Sequence, residues 1–391
     1  MRRFSAHLIF TNVGPPLKNG IITTSDDGTV TDVEDTGSKF TEKPAVEFHD
    51  GIIIPGFINC HCHLELSHMK GSIPEGAGLG AFLTTIQKKR KSDPETILSS
   101  ALSADIEMYK GGVDLCADIS NGSLIFPVKK KSNIHYFNFL EVFTTDPALA
   151  ERKMQEIEIL ATECERSGLP YSIVPHSVYT VSLPLFRLLK QRTSANHITS
   201  IHFMESEGED SFLSDRSGPL IEAFSKAGLL TAGLQTPKSC ISAIIDEVTP
   251  AGSLILVHNV FAGKEAVRKI NTRGKVFWCL CPNSNLHIGN NIPPALMLSQ
   301  EGCNIVIGTD SLASNKKLNV LSELKTLQHH FPSLSITDLI RWATINGAKA
   351  LGKESKYGSI GPGKKSGLLL LENADLINMK LTPDTRVLRL I

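Results

Sequence analysis

Two histidines separated by one residue, His61 and His63, are the side chains whose type and spacing best suit chemistry. They end an apolar run that begins at Ile52, with Pro55 and Gly56 at the entry to a predicted strand. Because side chains alternate between the faces of an extended strand, His61 and His63 should point to the same side. Neutral imidazoles are good ligands for zinc and iron(II). The spacing therefore predicts a metal-binding pair at the end of a buried strand.

Polar or ionisable side chains also follow four later apolar runs. A single histidine at a strand end is more often structural than a ligand. Several such residues beside a histidine pair are harder to attribute to packing, because burying titratable groups without a metal is costly. We therefore expect these strand ends to form one site. The residues are His176, His202, Glu205, His258 and Asp310.

The elements that must position these residues are eight apolar runs that alternate with helical patterns from Pro55 onward. Buried strands that alternate with helices predict a parallel (β/α)8 TIM barrel, whose active site lies at the carboxyl ends of the strands. A doubly wound open sheet is the alternative, and the lack of a glycine-rich phosphate loop after the first strand disfavours it. The predicted strands span residues 57–64, 113–119, 134–142, 171–178, 198–204, 254–259, 276–281 and 304–308.

The two ends of the chain have a different pattern from the middle. Short strands are predicted at 6–11, 20–24, 30–33 and 46–48, and the apolar run 368–371 could add a strand to their sheet. We therefore expect a small discontinuous β-sandwich domain from residues 1–54 plus 357–391, beside a barrel at 55–356. Helices are predicted at 154–168, 219–228, 265–273, 318–330 and 336–351.

Charge and cysteine content limit the classes of partner and the cellular compartment that the sequence favours. The 391 residues carry 40 Lys+Arg and 40 Asp+Glu, so charge indicates neither a nucleic-acid nor a membrane partner. The basic runs 88–91 and 129–131 are interpreted as solvated surfaces. Eight cysteines in a chain of this length favour buried reduced thiols and a cytoplasmic protein. A small-molecule substrate is expected, and a homo-oligomer is left open.

Several motifs, in order along nearly the whole chain, resemble the amidohydrolase superfamily of metal-dependent hydrolases, within its deaminase and chlorohydrolase branch. The chain most resembles the adenosine-type and aminodeoxyfutalosine deaminases. It departs from the adenosine-type enzymes at 80–85, which lacks the Trp-Leu and trailing Glu used there toward the ribose. The matching segments are 55–63, 175–182, 202–205, 257–258, 281–285, 308–311, 343–348 and 358–364.

The resemblance implies a role for each matching residue. Four residues would bind one divalent metal, with zinc favoured and iron(II) the alternative: His61, His63, His202 and Asp310. Residues 171–180 contain no lysine to carry a second metal. Glu205 would be the proton shuttle, Asp310 and His258 would act on the attacking water, and His176 would touch the substrate.

Two local expectations concern geometry. Glu205 lies three residues after His202, so the chain must turn or bulge after Phe203 for both side chains to enter one site. Without the resemblance, Glu205 would be interpreted as a solvated loop acid. Because side chains alternate between the two faces of a strand, Cys60 and Cys62 should lie on the face opposite His61 and His63. We therefore expect the two cysteines to be packing residues rather than ligands.

The reaction implied is hydrolytic deamination of an aminated heteroaromatic ring, in which a metal-activated water attacks the amino-bearing carbon and ammonia leaves. An amide or halide-displacing hydrolase on the same scaffold is one alternative, and a non-catalytic scaffold protein is another. Further substrate contacts are expected from residues that follow strands one, three and seven. These candidates are Glu65, Glu141, Asn285 and His287.

Overall fold

A computed structural model describes residues 1–37, 43–229, 234–248 and 252–391 of the chain. The described chain has mixed α/β content. The strands are β1 Arg2–Ile9, β2 Leu17–Lys18, β3 Ile21–Thr24, β4 Val30–Glu34, β5 Val46–Pro55, β6 Phe57–Cys62, β7 Val113–Ser120, β8 His135–Val142, β9 Tyr171–Pro175, β10 Ile198–Phe203, β11 Ser253–His258, β12 Val276–Leu280, β13 Asn304–Ile307, β14 Leu368–Glu372 and β15 Arg386–Arg389.

The helices between these strands are mostly short and amphipathic. Short 3₁₀ turns span Leu64–Met69 and Pro147–Leu149, and a π-helical turn spans Ala243–Glu247. The α-helices are α1 Leu79–Lys89, α2 Pro94–Lys110, α3 Phe126–Lys131, α4 Ala150–Arg166, α5 Leu183–Thr193, α6 Gly208–Ser214, α7 Pro219–Lys226, α8 Cys240–Ser242, α9 Lys264–Asn271, α10 Pro282–Gly289, α11 Ala295–Gln300, α12 Val320–His330, α13 Ile336–Ala343 and α14 Ile345–Ala350.

One predicted helix, 336–351, is wrong as a single element. The helix breaks at Thr344, whose φ of −133° and ψ of −92° are not helical. The Thr344 hydroxyl donates to the carbonyl of Ile340 and accepts from Asn12 Nδ2 at 2.8 Å. The first bond is the i−4 bond that threonine also makes inside helices, where it tends to bend them, and the second ties the break to the N-terminal segment.

The eight predicted central strands all form, within a few residues of the expected bounds. They make two parallel four-stranded sheets, ordered β6-β7-β8-β9 and β10-β11-β12-β13. Parallel bridges pair Ser177 with His202 at one junction of the sheets, and Cys62 with Asp310 at the other. Both bridges include residues from the predicted site.

One cluster of buried apolar residues takes members from all eight of these strands. It also includes Ala348 and Ala350 of α14, which contacts β6, β11 and β13. A larger cluster fills the space between the outer faces of the strands and the helices. The first cluster includes Ile58, Leu115, Phe139, Val174, Ile198, Ile255, Cys279 and Val306.

The chain termini share a seven-stranded mixed sheet, ordered β15-β14-β5-β1-β3-β4, with β2 paired to β1. The run 368–371 adds to this sheet as predicted, because β14 pairs antiparallel with β5. Strand β5 is longer than the expected 46–48, since the buried Ile52, Ile53 and Ile54 continue it to Pro55. This strand leads directly into β6 and the histidine pair.

Two expectations about individual side chains need correction. The register of β6 on β7 shifts between Asn59 and Cys62, so Cys60 packs in the eight-strand cluster and Cys62 in the outer one. The two thiols therefore do not share a face. Lys129 is not solvated either, because it is 2% exposed and lies against Asp118.

All eight cysteines are free thiols in the structure. No helix in the described ranges combines the length and apolar character needed to cross a bilayer.

Candidate active site

His61 and His63 lie together at the end of β6, and their Nε2 atoms are 3.2 Å apart. Both side chains are buried. Burial lowers the pKa of His61 well below its usual value and that of His63 to about 3, so both imidazoles are neutral at physiological pH. Neutral rings whose nitrogens converge in this way can offer lone pairs to a cation.

His202 is the last residue but one of β10, and its ring centroid is 4.8 Å from that of His61. Its Nδ1 lies 2.7 Å from the backbone carbonyl oxygen of His176. Because a carbonyl only accepts, Nδ1 carries the hydrogen and Nε2 keeps its lone pair. Orienting a ligand ring through its second nitrogen is typical of metal sites.

Asp310 follows β13 and brings a carboxylate to the histidines. Its Oδ1 is 3.5 Å from His63 Nε2 and 3.8 Å from His61 Nε2. Its Oδ2 accepts hydrogen bonds from the hydroxyls of Ser284 and Ser314. Burial opposes ionisation, but His63, His258 and the Ser284 hydroxyl outweigh it and lower the pKa of Asp310. The carboxylate is thus ionised and oriented toward the histidine nitrogens.

The chemistry of these donors fits a divalent metal. Ligand atoms of His61, His63 and Asp310 all lie within 4.8 Å of one another, as do those of His61, His202 and His258. Three imidazole nitrogens and one carboxylate oxygen suit zinc, and they also suit iron(II). A buried carboxylate facing neutral rings would otherwise lack a counter-ion, which is costly.

Glu205 enters the site because the chain turns sharply after β10. Met204 has a φ of +48°, which is uncommon for a residue with a side chain. The turn that Glu205 needs is therefore present. The Glu205 side chain is 7% exposed, and its Oε1 is 3.6 Å from His258 Nε2. Burial, followed by Asp310 and Glu209, raises the pKa of Glu205 well above its usual value.

His258 ends β11 and is 1% exposed. Asn285 Nδ2 lies 3.0 Å from His258 Nδ1. Because the amide nitrogen donates, the imidazole Nδ1 accepts and Nε2 carries the proton toward Glu205 and the cavity. Burial lowers the pKa of His258 to about 3, so this neutral form is the one expected at physiological pH.

One cavity of about 250 Å³ is lined by His63, His202, Glu205, His258 and Asp310. Glu141 and His176, which are predicted to bind substrate, also line it. The His176 ring stacks on that of His202 at 4.6 Å, and its Nδ1 lies 2.8 Å from Thr180 Oγ1. Glu141 Oε1 is 3.5 Å from His202 Nδ1. Both residues therefore link the cavity wall to His202.

Three expected substrate contacts lie outside the wall of this cavity. Glu65 sits in the 3₁₀ turn after β6 and accepts from Arg90 and from the Asn121 backbone. His287 lies 3.1 Å from the Ile73 carbonyl. Asn285 reaches the site through His258. The 3₁₀ turn after β6 and helix α10 direct these side chains to protein partners. The position of a residue after a strand does not reveal this.

Sequence reasoning missed the apolar wall of the cavity. Leu79, Phe82, Leu83 and Ile86 line it from α1, at the i, i+3, i+4 and i+7 spacing of one helix face. That spacing was a readable signal. Further apolar lining residues are Leu66, Phe143, Tyr179, Phe224 and Leu229.

Glu209 was also missed, because a run of acids after β10 favours a solvated loop. It is 1% exposed and contacts the backbone beside Glu205. Burial raises the pKa of Glu209 to about 7, against the effect of the backbone N–H groups that it binds.

Comparisons with known proteins give a consistent result. The amidohydrolase family model matches residues 52–388. A 5-methylthioadenosine/S-adenosylhomocysteine deaminase from Pyrococcus abyssi is 26% identical over 91% of this chain and 84% of its own length. An adenosine deaminase from Helicobacter pylori is 27% identical over 90% and 86%.

A solved structure has the same fold. The aminofutalosine deaminase of Helicobacter pylori, in complex with methylthio-coformycin, superposes with a TM-score of 0.79 at 22% identity. The match covers 96% of this chain and 93% of that one.

Proposed function

Because this chain belongs to the amidohydrolase family, we propose that it is a metal-dependent hydrolytic deaminase of an aminated heteroaromatic ring, such as a purine or a nucleoside derivative. The buried Glu205 carboxyl is the observation that carries the proposal. It faces the cavity beside the proposed histidine and aspartate ligands, but it is not one of those ligands. Deamination needs an acid for the ring nitrogen that is separate from the groups that hold a metal.

We assign the metal to His61, His63, His202 and Asp310. Members of the family bind a divalent metal, and this donor set favours zinc, with iron(II) as the alternative. Strand β9 carries no lysine, which favours one ion over two. A divalent metal bound there lowers the pKa of its water and so supplies a nucleophile near neutral pH.

The side chains of the cavity perform the proton transfers. Glu205, whose raised pKa favours its protonated form, donates to the ring nitrogen next to the amino-bearing carbon. The electrophilic carbon bonds the water oxygen, and Asp310 accepts the proton that the water gives up. That proton passes to the amino group, the carbon–nitrogen bond breaks to release ammonia, and the remaining hydroxyl proton returns to Glu205 as the carbonyl forms. Asp310 and His258 orient the attacking water, and His176 contacts the ring. Glu141 lies 3.5 Å from His202 Nδ1 and forms part of the same wall, from which it contacts the substrate.

The apolar face of α1 supports a narrower substrate. Relatives named for 5-methylthioadenosine and S-adenosylhomocysteine act on purine nucleosides with a thioether substituent. Leu79, Phe82, Leu83 and Ile86 form an apolar wall that suits a methylthio group, whereas a homocysteine group carries an ammonium and a carboxylate. We therefore propose a purine nucleoside derivative whose apolar substituent packs against α1.

We also propose that β6–β13 close into one (β/α)8 barrel at residues 55–356. The bridges at both sheet junctions and the cluster drawn from all eight strands support this. Strands from 1–55 and 357–391 share one mixed sheet with its own buried apolar cluster, which supports a small separate β domain. We propose that this domain is a β-sandwich from residues 1–54 and 357–391.

Ammonia release by metal-loaded protein tests the function directly. We would screen purines, pyrimidines, pterins and nucleosides, and then compare Glu205→Gln with the unchanged protein. Loss of a general acid–base group typically lowers kcat by about 10²–10⁴-fold, and the variant should retain its metal. Glu207→Gln is the matched control, because Glu207 is an exposed acid two residues away. A Glu205→Gln variant as active as this control would remove Glu205 from the mechanism.

A further inference from the structure

The Glu209 carboxylate binds three consecutive backbone N–H groups of the loop that carries Glu205. Its Oε2 accepts from the N–H of Met204 at 2.9 Å. Its Oε1 accepts from the N–H of Glu205 at 2.6 Å and from that of Ser206 at 3.0 Å. Glu209 lies in the first turn of α6 and is 1% exposed. A buried carboxylate thus spans the turn between strand and helix.

The backbone N–H groups of this loop need a hydrogen-bond acceptor just after the end of β10. Strand β10 ends at Phe203, so the next N–H groups leave the sheet ladder, and buried backbone donors require partners. Met204 also adopts a φ of +48°, which non-glycine residues rarely hold without support. The same turn brings Glu205 onto the cavity wall, so whatever fixes the turn also fixes the Glu205 carboxyl.

We propose that Glu209 is a positioning residue that holds Glu205 at the reacting ring; the inference rests on the proposed function of Glu205. Glu209 acts through the backbone, since its carboxylate binds the loop N–H groups. A carboxylate suits this role because both of its oxygens accept. A glutamine of the same size has one oxygen, and its amide N–H would face either Met204 or the Glu205–Ser206 pair.

Glu209→Gln is the direct test. Misplacing a catalytic group by an ångström can cost about 10²-fold in rate, so we expect kcat to fall by about 10–100-fold. KM for the best substrate and the metal content should stay close to those of the unchanged protein. Asp210→Asn is the matched control, because Asp210 lies next along α6 but accepts from the Cys240 N–H at 2.8 Å instead. Equal activity of the two variants would overturn the inference.

The double variant separates positioning from a general structural role. If Glu209 acts only through Glu205, then Glu205→Gln/Glu209→Gln should be no slower than Glu205→Gln alone. A further loss equal to that of Glu209→Gln in the unchanged background would show an independent role. If Glu205→Gln is fully active, the proposed function of Glu205 fails. If only Glu209→Gln is fully active, the positioning inference alone fails.

Hydrogen exchange tests the same contact in the unchanged protein, and serves if Glu209→Gln does not fold. The amides of Met204, Glu205 and Ser206 lie outside strands and helices, yet each donates to Glu209. We expect all three to exchange much more slowly than the amide of the exposed Glu207. Exchange as fast as that of Glu207 would refute the contact.

Discussion

Lys129 gives the most quantitative prediction, because it is a buried cation with a defined set of partners. Its Nζ lies 2.5 Å from Asp118 Oδ2, and both side chains are fully buried. The same ammonium donates to Ser120 Oγ and Asn138 Oδ1, each at 2.7 Å. Asp118 Oδ1 accepts from the N–H of Leu64, the residue after His63. The network therefore joins α3 to the strand that carries the histidine pair.

Replacing Lys129 with methionine keeps most of the apolar stem and removes the charge. Ser120 Oγ already lies 3.3 Å from Asn138 Oδ1, so this hydroxyl and amide can still bond to each other. Asp118 Oδ2 is then left as a buried charge without its partner. Removing one member of a buried ion pair costs about 3–5 kcal/mol, and we expect that loss in the free energy of unfolding.

The loss should depend on pH. Burial raises the pKa of Asp118 above its ordinary value, and Lys129 opposes the rise. Without Lys129 the folded-state pKa rises further, so the folded variant holds a proton that the unfolded chain releases. A raised carboxyl pKa gives stability that is present below the unfolded pKa and lost as pH rises through the folded one. The free energy of unfolding of Lys129→Met should therefore be lower at pH 8 than at pH 5.

Urea denaturation at both pH values measures these quantities. Lys130→Met is the matched control, since Lys130 is exposed on the same helix. Adding Asp118→Asn should restore more than half of the loss, because asparagine keeps an oxygen for the Leu64 N–H without the charge. The reasoning would be refuted if Lys129→Met were as stable as Lys130→Met, or if the stability of Lys129→Met did not differ between the two pH values.

Three further predictions concern the active site. His61→Ala should lose the metal, measured by elemental analysis, because it removes a central ligand. Asn285→Ala should lower kcat by about 10-fold or more with metal retained, since His258 loses the donor at its Nδ1; ammonia release measures this. Phe82→Ala should raise KM for 5′-methylthioadenosine by about 10-fold relative to adenosine, whereas the exposed Lys88→Ala should change neither KM.

The positions of the parallel strands, and of the polar residues at their ends, could be predicted because both depend on the local sequence pattern. Apolar β-branched runs form the parallel strands, and the polar residues that follow each run meet where those strands end. His61, His63, His202 and Asp310 could therefore be predicted to lie together. The close approach of their nitrogen and oxygen atoms in the structure fits that expectation, while their metal-binding role stays a prediction.

The remaining details depend on partners that are distant along the chain or on breaks in register. Lys129 is buried because Asp118 on β7 and Asn138 on β8 offer oxygens to it, and a basic run carries no sign of that. Cys60 and Cys62 diverge because β6 gains a residue against β7, which a period of two cannot represent. Likewise, Glu65 binds Arg90 and the Asn121 backbone, and these two partners line the cavity in its place.

Left-handed backbone at three strand ends connects the fold to the chemistry. Met204, His258 and Asp310 have φ values of +48°, +79° and +56°, each at or next to a proposed site residue. A non-glycine residue in such a conformation costs about 1–3 kcal/mol and persists only where its surroundings determine it. The turns let neighbouring side chains from one strand end reach the same cavity, which regular alternation forbids.

Hydrogen bonds from other parts of the chain fix the backbone or the side chain at each of the three positions. Glu209 binds the loop after Met204, Asn285 holds the His258 ring, and Ser284 fixes the carboxylate of Asp310. None of these supporting residues needs to touch a substrate to matter. The site is therefore determined as much by the groups that hold its turns as by those that face the cavity, because sub-ångström errors in a catalytic group already reduce rate.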